Sequence, residues 1–550
     1  MKRRKIAMSV LVLTLFMASL QIEAGEVYAA KEERLNSSWS ELAETDWYND
    51  TDIEFTVSTA EQLAGLSAIV NGTANGIKAD SFENKTVKLG ADISLDGFCW
   101  VPVGTEKNPF SGSFDGGGAY TISDMNLTVE NADTAGLFGY VKDASIQNLT
   151  IISAQITAAA SGMQRAGLLA GWAVNTAVSG VTVSGRLNVT LSEKAQFSSF
   201  GGLIGLTDYA ADRLTAGGCI ISDCTAKDIS ISYSGCAGMD AAYQFRGSWN
   251  TSYYFLPVSF GGLIGAQGNP YIESYGSHSG ISTKITDCTV EKLSVVRSAG
   301  NGSIYEAIGG IIGTARTKAS VQDCSVEGFT AQIASDVPDT EMIGSRGNME
   351  KILAGLYLGG VAGIFDGNSV MLRCQVIGGK VFSDVTGGYK DDADKRGGFY
   401  GGMAGMLGFP PGWEDDGSWS KQSHTGLGAV VKSCYCEMEF SADNSESVRY
   451  VSSVRSLRND GKIDVQYLVC NINGVSVLDS DNDFVCGRLQ DSGKATTSEY
   501  QLHPVKTQIF NIGETKEPFD YRYHYPNSSG SFPQSSISDA SQWHDKIEML

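Results

Sequence analysis

Three kinds of residue in this chain have types and spacings that bear on chemistry. They are cysteines that recur at one position of a repeat, carboxylates just before them, and aromatics gathered in insertions. Cys224, Cys288, Cys324, Cys374 and Cys434 each close the same short pattern, as in Ile221-Ser222-Asp223-Cys224 and Ile285-Thr286-Asp287-Cys288. Two earlier copies carry Leu149 and Val181 there instead. A thiol that alternates with aliphatics reads as a small hydrophobe in a packed column. A disulfide between adjacent copies is the other reading, because strands stacked at ~4.8 Å fall within the usual Cα separation of a bridge. No histidine and no C-x-x-C accompanies the column, so a thiolate metal site is not expected. Cys434-Tyr435-Cys436 places both sulfurs on one face of a strand.

Asp223, Asp287 and Asp323 each precede a column cysteine, and Asn148 holds the same place earlier. Asp and Asn tolerate left-handed backbone, so these positions read as bends. Stacked carboxylates also admit a bridging calcium ion, but Gly180, Arg373 and Ser433 interrupt the series. Asp479-Ser480-Asp481-Asn482-Asp483 opens like a calcium loop, yet Phe484 and Gln490 replace its glycine and closing glutamate. Motifs for serine hydrolysis, metalloproteolysis and phosphate binding are absent. His278, His424, His503, His524 and His544 share no repeat position. No catalytic residue is assigned, and no cofactor is expected beyond the calcium reading.

Aromatics concentrate in insertions. One holds Tyr243, Phe245, Trp249, Tyr253, Tyr254 and Phe255; the next holds Tyr271 and Tyr275; a later one holds Trp413 and Trp419 beside Glu414, Asp415 and Asp416. Rings beside carboxylates stack on sugars and anchor protein contacts. The candidate ligand-binding set is therefore Tyr243, Trp249, Tyr253, Tyr254, Trp413 and Trp419. The plainer reading is that these rings fold back on the scaffold.

The elements that must position these residues are set by a repeat. A glycine-flanked aliphatic pentad appears as Ala135-Gly136-Leu137-Phe138-Gly139 and Gly167-Leu168-Leu169-Ala170-Gly171. It continues as Gly201-Gly202-Leu203-Ile204-Gly205, Gly261-Gly262-Leu263-Ile264-Gly265 and Gly309-Gly310-Ile311-Ile312-Gly313. Gly359-Gly360-Val361-Ala362-Gly363 and Gly401-Gly402-Met403-Ala404-Gly405 complete the set. Closing glycines are 32, 34, 60, 48, 50 and 42 residues apart, so a unit of about 32 residues carries insertions in later copies. An alternating strand follows each pentad, often with a looser third one. Three short strands per unit, with no helical period, predict a coil of a parallel β-solenoid. Propeller blades need about 40–50 residues, more than the shortest units have.

These pentads, with strands at this spacing over roughly residues 55–440, resemble the GLUG motif of bacterial secreted and surface proteins. The resemblance implies a right-handed parallel β-helix and an adhesin-like role. It implies no catalytic residues.

The ends have their own signals. Lys2 to Lys5, an apolar run from Ile6 to Leu20 and small residues before Ala30 read as a secretory signal peptide over 1–29. That run is short of the ~20 residues that a spanning helix needs. Thr59-Ala60-Glu61-Gln62 has the capping-box form, and Leu63, Leu66, Ile69 and Val70 follow at helical spacing. The expected organisation is a linker over 30–54, a helical cap and β-helix over 55–440, terminal coils or a cap over 441–512, and an irregular tail over 513–550. Glycine supplies 65 of 550 residues, and 62 acids against 41 bases give a charge of −21. That field disfavours nucleic acid and anionic membranes as partners. The reading as a whole is an all-β secreted or cell-surface module that binds a host or bacterial glycan or protein through lateral loops. A polysaccharide lyase or glycoside hydrolase on the same scaffold, and a structural spacer, are the alternatives.

Overall fold

The computed structural model describes residues 37–129 and much of 133–510; gaps include 209–217, 236–242, 269–282, 390–397 and 408–428. The signal peptide and the tail from 513 lie outside the described residues. The chain is a parallel β-helix. Each coil contributes two short strands to a glycine-rich sheet and up to three to a second sheet, and nearly every pairing between coils is parallel.

One coil shows the logic. Ser199–Gly201 leads into the pentad and Ile204–Thr207 leaves it; Ile220–Ser222 and Thr225–Gly235 then cross the second sheet. Each strand pairs in register with its equivalents above and below: Ser222 with Ser179 and Thr286, and Thr225 with Thr182 and Thr289. Alternation sends Ile146, Val178, Ile221, Ile285, Val321, Met371 and Val431 inward as one buried column. Ser, Thr and Gln stay on the outer face. Full burial of each such aliphatic contributes about 1.5–3 kcal/mol.

The corners between strands are fixed by local backbone. Asn148, Gly180, Asp223, Asp287, Asp323, Arg373 and Ser433 all have φ between 51° and 62°. The position read as a bend is therefore left-handed in every copy, where Asp, Asn and Gly are the least strained residues. The next residue turns inward, and that is the cysteine column.

The pentad glycines solve a different problem. Gly201, Gly202 and Gly205 do not have positive φ; what they lack is room. A Cβ on Gly201 would stand 2.0 Å from the Ile204 carbonyl, on Gly202 2.1 Å from the Gly262 carbonyl, and on Gly205 2.5 Å from the Ala166 amide. The register also refines the repeat. Gly136 and Gly167 pair with Gly201's position, the first glycine of later copies, and Leu168 stands where those copies have their second. The first copy is one residue shorter at the bend.

At the N-terminus, helix Ala60–Asn71 covers the first coil. Thr59 Oγ1 accepts the Gln62 N–H (3.2 Å), Gln62 Oε1 accepts the Ser58 N–H (2.8 Å), and Gly72 ends the helix at φ 74°. Leu63, Leu66, Ile69 and Val70 are all buried. The stretch read as a linker is, from Ser37 on, part of this cap. Trp39 is buried with its indole N–H on the Leu95 carbonyl (3.0 Å), and the Glu44 carbonyl crosses the helix at Gly65. At the other end, Val475–Leu478 pairs antiparallel with Ile463–Ile472 and stops the parallel ladder there. Among the described residues, no helix is long and apolar enough to cross a membrane.

Candidate functional site

The two strands around each pentad fold back on one another, so their outward faces meet. Tyr140, Trp172, Val174, Leu206 and Ala266 point away from the main core, yet they are buried in an apolar cluster of their own with Met163 against it. The partners come from the preceding strands. The Arg165 guanidinium lies 4.1 Å from the Trp172 ring centre, and Ser259 Oγ is 2.7 Å from Thr314 Oγ1. Tyr140 packs tilted on Trp172 with ring centres 4.4 Å apart, and Tyr357 stacks on Phe399 at 4.7 Å. A closed seam therefore runs along the helix, with the pentads at its floor.

Insertions join the body at the mouth of this seam. Residues 236–257 lead into Val258–Gly261 and 390–397 into Gly398–Leu407, on one edge. Residues 209–217 follow Asp208, 269–282 follow Gly268 and 408–428 follow Leu407, on the other. Of the six candidate ligand-binding residues, Trp249, Trp413 and Trp419 lie outside the described residues. Tyr243, Tyr253 and Tyr254 lie on a two-stranded antiparallel hairpin, Tyr243–Arg246 with Thr251–Tyr254, where Tyr243 is opposite Tyr254 and Gln244 opposite Tyr253.

Two buried polar clusters hold the feet of these insertions. Asp208 (φ 60°) accepts the Cys219 N–H at 2.8 Å through Oδ1 and the Thr283 hydroxyl through Oδ2; Thr283 Oγ1 is also 3.2 Å from Thr207 Oγ1. Burial raises the Asp208 carboxyl above its ordinary range, and burial with Asp208 beside it pushes up the Cys219 thiol. In the other cluster Tyr233 Oη donates to Glu306 Oε2 (2.9 Å), and Arg297 Nε donates to Glu306 Oε1 (3.4 Å). Arg297 Nη2 reaches the Gly235 carbonyl (2.8 Å), and Tyr233 stacks on Phe260 at 4.2 Å. Burial, then Glu306, raises the Tyr233 hydroxyl. These groups sit where 236–257 leaves and rejoins the body. Sequence reading missed both clusters, since nothing local marks a pairing between Asp208 and Thr283.

The cysteine column is interior. Cys224, Cys288, Cys324, Cys374 and Cys434 are free and buried, between Val181 and Leu468. Sγ of Cys224, Cys288 and Cys324 donates to the carbonyl two residues earlier, at 3.0 to 3.1 Å. Burial pushes the Cys324 and Cys434 thiols up. Of the three aspartates weighed for calcium, Asp323 is already ion-paired. Arg373 of the next coil donates to both its oxygens, Nε to Oδ1 at 2.6 Å and Nη2 to Oδ2 at 2.5 Å, which raises the Arg373 pKa.

No family model matches the chain. It is 32% identical over 161 residues to Halomucin of Haloquadratum walsbyi, a match that covers 27% of this chain and 2% of that protein. Among solved structures, an IgA1 protease matches at 14% identity over 64% of this chain and 20% of its own, with a TM-score of 0.26. The chain thus spans a small part of either protein.

Proposed function

We propose that the protein is a secreted or cell-surface interaction module that binds a glycan or protein through its seam insertions. One observation carries this reading: the aromatic-rich segments 236–257, 269–282 and 408–428 all join the β-helix along one seam. Buried polar clusters hold the feet of the first two. A rigid scaffold that gathers variable loops on one side is the usual arrangement of a recognition surface. The signal-peptide pattern over 1–29 supports export. The GLUG-like pentads and the partial likeness to Halomucin agree with a surface protein.

A glycan array and a surface-protein panel, read with the full chain and with Trp249→Ala and Trp413→Ala variants, test it. Binding that falls at least tenfold in a variant of unchanged melting temperature is expected. Binding that both variants retain in full overturns the loop assignment. Turnover of a bound polysaccharide would move the reading to an enzyme on this scaffold.

A further inference from the structure

The sulfur column changes track at its C-terminal end. Cys434 pairs with Leu468 in the last parallel rung described for this sheet, so the column proper stops. Two residues further on, the inward column that runs Val326, Val376 and Cys436 ends on Cys470. Cys436 and Cys470 are therefore directly opposed on adjacent parallel strands, at the ~4.8 Å strand spacing that lies within the Cα separation of a disulfide. Both are free and completely buried. Cys224, Cys288, Cys324, Cys374 and Cys434 stack rung on rung in the same way inside the body, whereas Cys436 and Cys470 lie across the step to the last parallel strand described for this sheet. The rung they share is where parallel pairing gives way to the antiparallel strand Val475–Leu478, with Val477 opposite Cys470.

From this placement we infer that Cys436 and Cys470 form a redox-dependent clamp, a disulfide that fastens the last coil to the body. The co-reactant is a small-molecule disulfide such as oxidised glutathione. The thiolate of one cysteine attacks a reagent sulfur, giving a mixed disulfide and one released thiol. The other thiolate attacks the protein-bound sulfur, and the second reagent thiol leaves. The two protein protons end on the two released thiols. Buried sulfurs react when this coil opens locally, short of global unfolding. Reduction by a small thiol reverses the step.

The test uses the full chain, incubated with oxidised or reduced glutathione in graded sub-denaturing urea. Free thiols are then alkylated in denaturant and mapped by mass spectrometry. Oxidation is expected to leave two fewer alkylated cysteines, with the Cys436 and Cys470 peptides joined and two hydrogens lighter. The urea midpoint should rise in the wild type and not in Cys470→Ser. Complete alkylation of both residues after oxidation in urea that opens the last coil overturns the proposal. So does a link confined to column cysteines, or a midpoint rise that survives in Cys470→Ser.

Discussion

At the residue scale, the structure turns on where a side chain has no room and where a charge has no water. Gly310 illustrates the first. A Cβ there would lie 2.0 Å from the Gly360 carbonyl and 2.8 Å from a Val326 methyl, with backbone on one side and core on the other. Gly310→Ala is expected to cost at least the 1–3 kcal/mol typical of overpacking. Gly162→Ala, with open space around it, should be near neutral. Urea unfolding of both variants checks this. Asp208 illustrates the second. Because its folded pKa is raised, the stability it contributes is fully present at acid pH, below its ordinary value, and is lost as pH rises through the raised one. Wild type should gain stability on Asp208→Asn as pH falls from 7 towards 4. Parallel pH-stability curves for the two proteins would contradict the assignment. Thiol access separates core from rim in the same way. In native buffer N-ethylmaleimide should modify the half-buried Cys99 and spare Cys224, Cys288, Cys324, Cys374 and Cys434 until the chain unfolds.

At the scale of elements, the coil is a set of strands joined by corners, and its legibility in the sequence divides the same way. Alternation exposed the second sheet: Ile221 and Ile285 point in and Ser222 and Thr286 point out, as the period of two requires. Asp223 and Asp287 marked the corners because few residues accept left-handed backbone. The helical cap was legible from Thr59, Gln62 and the apolar spacing after them. The seam was not. By alternation Tyr140, Trp172 and Leu206 are outward residues, and only the fold-back of two strands around crowded glycines buries them. The polar clusters at the insertion feet were equally hidden. Tyr233 meets Glu306 across 73 residues, and a pairing over such sequence distance leaves no local pattern. Removing one member of that network strands the other in the interior. Glu306→Ala should therefore cost about 3–5 kcal/mol. Arg373→Ala at the partly exposed Asp323 pair should cost about 1 kcal/mol or less. Denaturant unfolding distinguishes the two, and equal losses would contradict the assigned burial.

For the whole molecule, the claim that everything rests on is a single axis. Insertions lengthen the chain between rungs without lengthening the ladder. Asp115, Gln147, Ser179, Ser222, Thr286, Gln322, Leu372 and Lys432 succeed one another in register on one outward column. Each step is one rung, whether 32 residues separate the pair or 64. Spin-label distances measured from Lys432 to Ser179, Gln147 and Asp115, with labels introduced as unnatural amino acids, test this directly. The account predicts about 24, 29 and 34 Å, rising by one rung of ~4.8 Å at a time. Distances that instead follow the number of intervening residues, or that fail to rise in equal steps, would contradict it.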